Sequence, residues 1–109
     1  MKTNIHLEIH ILNTFFSDAL IVSTIWKFPF LPRVGESVYP AVWINDFDFI
    51  DLDKILTSEG KSVLSNSGCS PEAWLHDICI ESSRVRYITY NIDKQNNPII
   101  SICLDDNYY

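Results

Sequence analysis

The first strand-forming stretch has a strict two-residue alternation, which constrains the fold more than any other feature of the chain. Apolar Ile5, Leu7, Ile9 and Ile11 are separated by polar residues. This period is that of a β-strand with one buried face and one face in contact with water. The alternation predicts a first strand over about Asn4–Asn13.

Three further stretches have the β-branched and aromatic composition of strands. They cover Ala19–Phe28, Val38–Ile44 and a long segment from Asp77 whose phase shifts near Ser82, where we predict a bulge or a bend. A polar turn after this segment predicts a hairpin, with Pro98–Leu104 as the fifth strand.

Helical spacing of apolar residues occurs once, between the third and fourth predicted strands. It predicts a short helix over about Phe49–Glu59, with Gly60 in the left-handed position that ends it. The serine-rich stretch Lys61–Ser70 is predicted to be a loop. The pair Ser70 and Pro71 is typical of the start of a second helix, as short as a single turn.

These elements predict one domain over residues 1–109, in the mainly β class and bordering on α+β. A chain of this length can bury roughly two-thirds of its surface, which is enough for one core. Because the strands follow one another closely, we expect a small curled antiparallel sheet or open barrel of about five strands, with one or two short helices.

One segment carries a resemblance to known proteins. The run Leu31-Pro32-Arg33-Val34-Gly35-Glu36-Ser37-Val38, taken with Val85–Tyr87 and the closing stretch Ile100–Leu104, resembles small uncharacterised bacterial β domains. In those domains a Pro-x-Val-Gly-Glu/Asp-x-Val turn opens a strand and a hairpin ends the fold. The resemblance implies the fold alone, because that family has no established activity.

The charge balance argues against nucleic acid and anionic membranes as partners. Fourteen acidic and eight basic side chains give a net charge of −6, which repels phosphate groups.

The sequence contains no run of about 18 apolar residues that could span a membrane. Charged residues near the start interrupt the apolar run that a secretory peptide needs. The three cysteines cannot all form disulfides within the chain, which is typical of a reducing compartment. We therefore expect a cytoplasmic protein.

Catalytic motifs do not stand out. The nearest arrangement is Cys69 with His76 and Asp77, but adjacent residues on a strand point to opposite faces, so Asp77 is poorly placed to orient His76. With 3 Gly in the chain, neither a phosphate loop nor a dinucleotide fingerprint occurs. The sequence predicts no cofactor and argues against an enzyme.

The alternation His6-x-Glu8-x-His10 is a candidate metal site. Residues two apart on a strand share a face at a spacing of about 6.8 Å, so neighbouring pairs of these side chains can approach one ion. A further ligand has to come from a neighbouring strand or from His76. The alternative interpretation is a solvated polar face.

Aromatic residues exceed what a small core obviously needs, at 13% of the chain. A surplus indicates a ligand pocket or a protein interface, whereas core packing accounts for any single ring. Tyr39, Trp43 and Phe47 lie near the predicted helix start, and Tyr108 and Tyr109 end the sequence, so these five are the predicted interaction residues. The leading hypothesis is a small non-enzymatic binding or protein-interaction module, which includes self-association as a homodimer through a sheet edge or an aromatic patch. The alternative is a metal-binding protein or metal-dependent enzyme.

Overall fold

The computed structural model describes residues 3–11, 14–79 and 82–105. In these residues, one open mixed sheet of four strands is accompanied by four short helices. The strands are β1 (Asn4–Ile9), β2 (Leu20–Ile25), β3 (Arg84–Ile92) and β4 (Pro98–Asp105), and the helices are a 3-10 helix (Pro40–Asp46), α1 (Leu52–Ile55), α2 (Ser58–Ser67) and α3 (Pro71–Cys79). With 32% strand and 30% helix in the described residues, the predicted mainly β class is not clearly supported, and the prediction of five strands is wrong. The expectation of an antiparallel sheet is correct only in part, because β1 and β4 pair in parallel.

The strand order in the sheet is β2-β1-β4-β3. The outer pairs, β1 with β2 and β3 with β4, are antiparallel, whereas the central strands β1 and β4 are parallel and place Glu8 directly opposite Cys103. The helical segment between the two antiparallel pairs carries the chain across the sheet, and β4 returns beside β1. A connection of this length is what parallel pairing requires.

The helices cover one face of the sheet and form a single core with it. Leu7 and Ile102, at the centre of that face, are inaccessible to solvent, as are Trp43 and Leu75 from the helices. The alternation in β1 therefore predicts the buried face correctly, because Ile5, Leu7 and Ile9 all lie in this core.

The stretch Val38–Ile44, predicted as a strand, forms the 3-10 helix instead. Pro40 occupies the first turn of this helix, where its missing N–H and its fixed φ are favourable, whereas in a central strand it would remove a ladder donor. The side chains of Trp43 and Ile44, which belong to this helix, are buried. Their strand-like composition reflects burial rather than extended backbone.

The single helix predicted over Phe49–Glu59 is two helices. Leu56, with ψ of 131°, has an extended backbone and separates the two helices. Thr57 caps the start of α2, where its hydroxyl accepts a hydrogen bond from the Gly60 N–H at 3.1 Å. Gly60 thus lies inside α2, and most of the predicted loop is helical. The left-handed residue that ends α2 is Gly68, with φ of 72°.

The second predicted helix is confirmed and is longer than one turn. Pro71 begins α3, and the hydroxyl of Ser70 accepts a hydrogen bond from the backbone of Ala73 at 3.3 Å. Because α3 continues to Cys79, strand structure does not begin at Asp77. The irregularity expected near Ser82 is found within β3, between residues 85 and 87. None of the helices in the described residues has the length and apolar character needed to cross a membrane.

Candidate metal-binding site

The face of the sheet opposite the helices carries the polar side chains of the first strand. His6 and Glu8 lie on β1, and His10 follows its last residue, with its backbone N–H bonded to the carbonyl of Leu104 at 2.9 Å. All three side chains are partly exposed. The structure therefore presents them on one surface, but it does not bring all three to one point.

His6 lies apart from the other two predicted ligands. It lines an open surface groove of about 860 Å³ together with Lys27, Asp46 and Asp93. Asp46 accepts a hydrogen bond from Thr24, which engages one oxygen of its carboxylate. In the described residues His6 is not part of any cluster of three metal-ligating side chains.

Glu8, His10 and Cys103 form such a cluster at the junction of β1 and β4. One ligand atom from each side chain lies within 4.8 Å of the other two. Nε2 of His10 is 3.2 Å from Oε1 of Glu8. The parallel register sets Cys103 directly across from Glu8. The third potential ligand of the cluster is therefore Cys103 and not His6, which the sequence pattern predicted.

The Nε2 atom of His10 is shielded from solvent although the ring is partly exposed. This atom lies close to the Glu8 carboxylate, but the two groups are not oriented for a hydrogen bond. Within the described residues, the Nε2 atom has no other hydrogen-bond partner. A shielded imidazole nitrogen without a hydrogen bond is uncommon in folded proteins. Its position beside a carboxylate and a thiol is consistent with a metal ligand.

The environment of Cys103 is unfavourable for a thiolate in the absence of a cation. Burial raises the pKa of the Cys103 thiol, and the negative charges of Glu8 and Asp105 raise it further. The hydrogen bond from Tyr87 and the charge of Arg86 act in the opposite direction without reversing the shift. A bound cation would relieve the repulsion among these groups, because it favours the deprotonated form of every ligand.

Tyr87 borders the cluster from β3. Its hydroxyl is hydrogen-bonded to the Cys103 side chain, and this bond is the main reason that the pKa of Tyr87 is raised. Arg86 and Asp105, whose Nε and Oδ2 atoms are 3.3 Å apart, lie beside it around an open depression of about 340 Å³. The cluster is therefore accessible to small ions from solvent.

The predicted interaction residues are divided by the structure. Trp43 and Phe47 are core residues with 0% and 6% of their surface exposed, so their rings are not available to a partner. Tyr39 is 60% exposed. Tyr108 and Tyr109 lie outside the described residues. Sequence reasoning did not single out Phe28 and Phe30, although both rings are exposed on the segment after β2.

The predicted arrangement of Cys69 with His76 and Asp77 does not form a cluster of metal-ligating groups within the described residues. Cys69 is an exposed thiol between α2 and α3, and His76 and Asp77 lie on α3 rather than on a strand. The acidic residues around α1 are exposed, and Asp51 pairs with Lys54 at 3.2 Å. Carboxylates are typical of the start of a helix, where the positive end of the helix dipole stabilises them.

No protein-family model matches this chain, and neither a curated protein nor a solved structure is significantly similar to it. The resemblance to small bacterial β domains therefore stays a prediction.

Proposed function

We propose that this protein is a metal-binding protein that holds a divalent cation, with Zn²⁺ the best fit, through Glu8, His10 and Cys103. The observation that carries the proposal is the convergence of a carboxylate, an imidazole and a thiol from two neighbouring strands. These are the three ligand types that zinc takes in proteins. Thiolate ligands favour zinc over manganese or magnesium.

The separation of the ligand atoms is close to what a zinc ion requires. Typical bond lengths of about 2.0–2.3 Å in tetrahedral geometry place neighbouring ligand atoms roughly 3.3–3.6 Å apart. The Glu8–His10 distance of 3.2 Å is already close to the lower end of this range. The remaining distances, all within 4.8 Å, shorten to it through side-chain rotation.

Three protein ligands leave one tetrahedral position for water. Structural zinc sites are usually closed by four protein ligands, whereas open sites exchange their fourth ligand. The depression beside Tyr87 and Cys103 gives solvent access to this position. The proposed site therefore holds its ion with one exchangeable position, which water occupies.

Cobalt substitution tests the proposal, because a Co²⁺–thiolate bond produces a charge-transfer absorption in the near ultraviolet. We expect one Co²⁺ per chain with this band, displacement of Co²⁺ by Zn²⁺, and weaker binding of Mn²⁺. Cys103→Ser removes the band, and His10→Ala weakens Zn²⁺ binding by more than about tenfold, because losing a direct ligand costs at least as much as losing an outer-shell partner.

Two variants serve as matched controls. His6→Ala changes a histidine on the same strand that lies outside the cluster, and Cys69→Ser removes the exposed thiol. Both should bind Co²⁺ and Zn²⁺ as the unmodified protein does. Equal binding by Cys103→Ser, or loss of the band in Cys69→Ser, contradicts the proposal.

A further inference from the structure

The outer edge of β3 is covered along only part of its length. The segment Gly35–Val38 pairs with its start: Gly35 donates to the Val85 carbonyl at 2.8 Å, and Val85 donates to Glu36 at 2.9 Å. From Tyr87 to Ile92, the described part of the chain places no strand or main-chain partner along this edge. We name residues 88–92 the open edge.

The backbone groups of alternate residues in the open edge point away from the sheet. The Asp93 N–H bonds to the Asn97 carbonyl across the hairpin at 2.9 Å, so Asp93 and Asn97 form a hydrogen-bonded pair. Because such pairs alternate along antiparallel strands, the N–H and C=O groups of Ile88, Tyr90 and Ile92 point outwards. Consistent with this, the Ile92 N–H bonds to the Asn91 side chain at 2.8 Å rather than to β4.

The open edge lacks the charged residues and prolines that often protect an edge strand. No charged residue or proline occurs between Tyr87 and Ile92, and the side chains of Tyr90 and Ile92 are 69% and 59% exposed. The opposite edge, β2, is protected differently. The Trp43 indole donates to the Ile25 carbonyl there at 2.9 Å, which fills a main-chain acceptor with a side chain from the helical layer.

Apolar and polar residues of the open edge are arranged symmetrically on the two sides of Tyr90. In an antiparallel pair of two identical strands centred on this residue, Ile88 faces Ile92 of the partner copy and Tyr90 faces Tyr90. Thr89 then faces Asn91. This register matches apolar with apolar and polar with polar residues, and it pairs all the outward main-chain groups. The open edge is thus complementary to a second copy of itself.

We propose that two copies of this chain associate through antiparallel pairing of their open edges, centred on Tyr90. Three hydrogen-bonded residue pairs give up to about six main-chain hydrogen bonds. The Ile92 N–H exchanges the Asn91 side chain for the partner's carbonyl. The pairing joins the two sheets into one continuous sheet of roughly eight strands and covers the exposed rings of Tyr90.

Sedimentation velocity over a range of protein concentrations tests the proposal. We expect a monomer–dimer equilibrium whose dissociation constant rises at least about tenfold in Tyr90→Lys, because two like charges replace the facing rings. An equimolar mixture of Tyr90→Lys and Tyr90→Glu should restore the dimer, which a merely damaged monomer would not do.

Tyr39→Lys is the matched control, because Tyr39 is also an exposed tyrosine but lies outside the sheet. It should leave the dimer intact. Amide hydrogen exchange gives an independent readout: the Ile88 and Tyr90 amides become protected as concentration rises, while the Thr89 and Asn91 amides, which face β4, do not change. A monomer at every concentration, or a dimer broken by Tyr39→Lys and not by Tyr90→Lys, overturns the proposal.

Discussion

At the scale of single residues, Gly60 is a position where the backbone of another segment lies very close to α2. A Cβ atom at this position would lie 2.3 Å from the carbonyl oxygen of Phe15 and 3.0 Å from Cδ2 of Leu56. The same carbonyl accepts a hydrogen bond from the Thr57 N–H at 2.8 Å. Only glycine therefore allows the chain after β1 to dock on the first turn of α2.

We expect Gly60→Ala to destabilise the protein by about 1–3 kcal/mol, the usual cost of overpacking. Alanine is favoured over glycine in a helix by about 1 kcal/mol, so a gain in stability is the naive expectation. The clash with a backbone atom outweighs that gain, since a main-chain carbonyl cannot rotate away alone. Urea unfolding measures the difference.

Ser62→Ala provides the control for Gly60→Ala, because Ser62 is exposed on the same helix. This change should alter stability by no more than about 0.5 kcal/mol. If Gly60→Ala proves as stable as Ser62→Ala, the close approach of Phe15 does not exist in solution.

At the scale of secondary-structure elements, local patterns predicted the hairpin strands and α3 better than the helical segment. The alternation in β1 and the polar turn before β4 were sufficient, because register and turn chemistry are local. The predictions for Val38–Ile44 and Gly60 are wrong, because the apolar residues of the first are buried in a helix and the glycine is required by a close contact with another segment. Both causes depend on residues distant in the sequence, which local propensity does not include.

The β3–β4 turn depends on one carboxylate. Asp93 accepts hydrogen bonds from the backbone N–H groups of Asn97 at 2.9 Å and Gln95 at 2.8 Å. The bond from the Asn97 backbone is the main cause of its lowered pKa. A carboxyl whose pKa is lowered by folding stabilises the protein above its unfolded pKa of about 3.9, and this contribution is lost as the pH falls through the lower folded value.

We expect Asp93→Ala to reduce the urea midpoint at neutral pH by a few tenths of a mole per litre, through the lost turn hydrogen bonds. The difference from the unmodified protein should shrink as the pH falls below about 4. Asp77→Asn, which removes an exposed carboxylate from α3, is the control and should show no such convergence. A difference between Asp93→Ala and the unmodified protein that is independent of pH contradicts this role for the charge.

At the scale of the whole molecule, the central parallel pair explains why only part of the candidate site was predictable. The alternation in β1 correctly placed Glu8 and His10 on the face opposite the core. Cys103 follows them by more than ninety positions and meets Glu8 only because β4 returns beside β1. A sequence that predicts local hairpins carries no signal for that parallel register, so Cys103 is absent from the ligands that the sequence predicts.

Because the proposed ion connects β1 to β4, it ties together the strands nearest the two ends of the described chain. A ligand that binds only the folded state stabilises it by about 2.7 kcal/mol at a concentration one hundred times its Kd. For a chain of this size, we expect Zn²⁺ to raise the Tm by roughly 10–20 °C under those conditions.

The zinc-induced rise in Tm should diminish with decreasing pH. Burial and neighbouring carboxylates raise the pKa of Cys103, so binding must displace its proton, and affinity falls by up to about tenfold per pH unit below that pKa. Scanning calorimetry with and without Zn²⁺ at several pH values measures this, and Cys69→Ser should behave as the unmodified protein does. Tyr90→Lys should retain the full shift, since the site lies within one copy. A shift of equal size in Cys103→Ser would place the ion elsewhere.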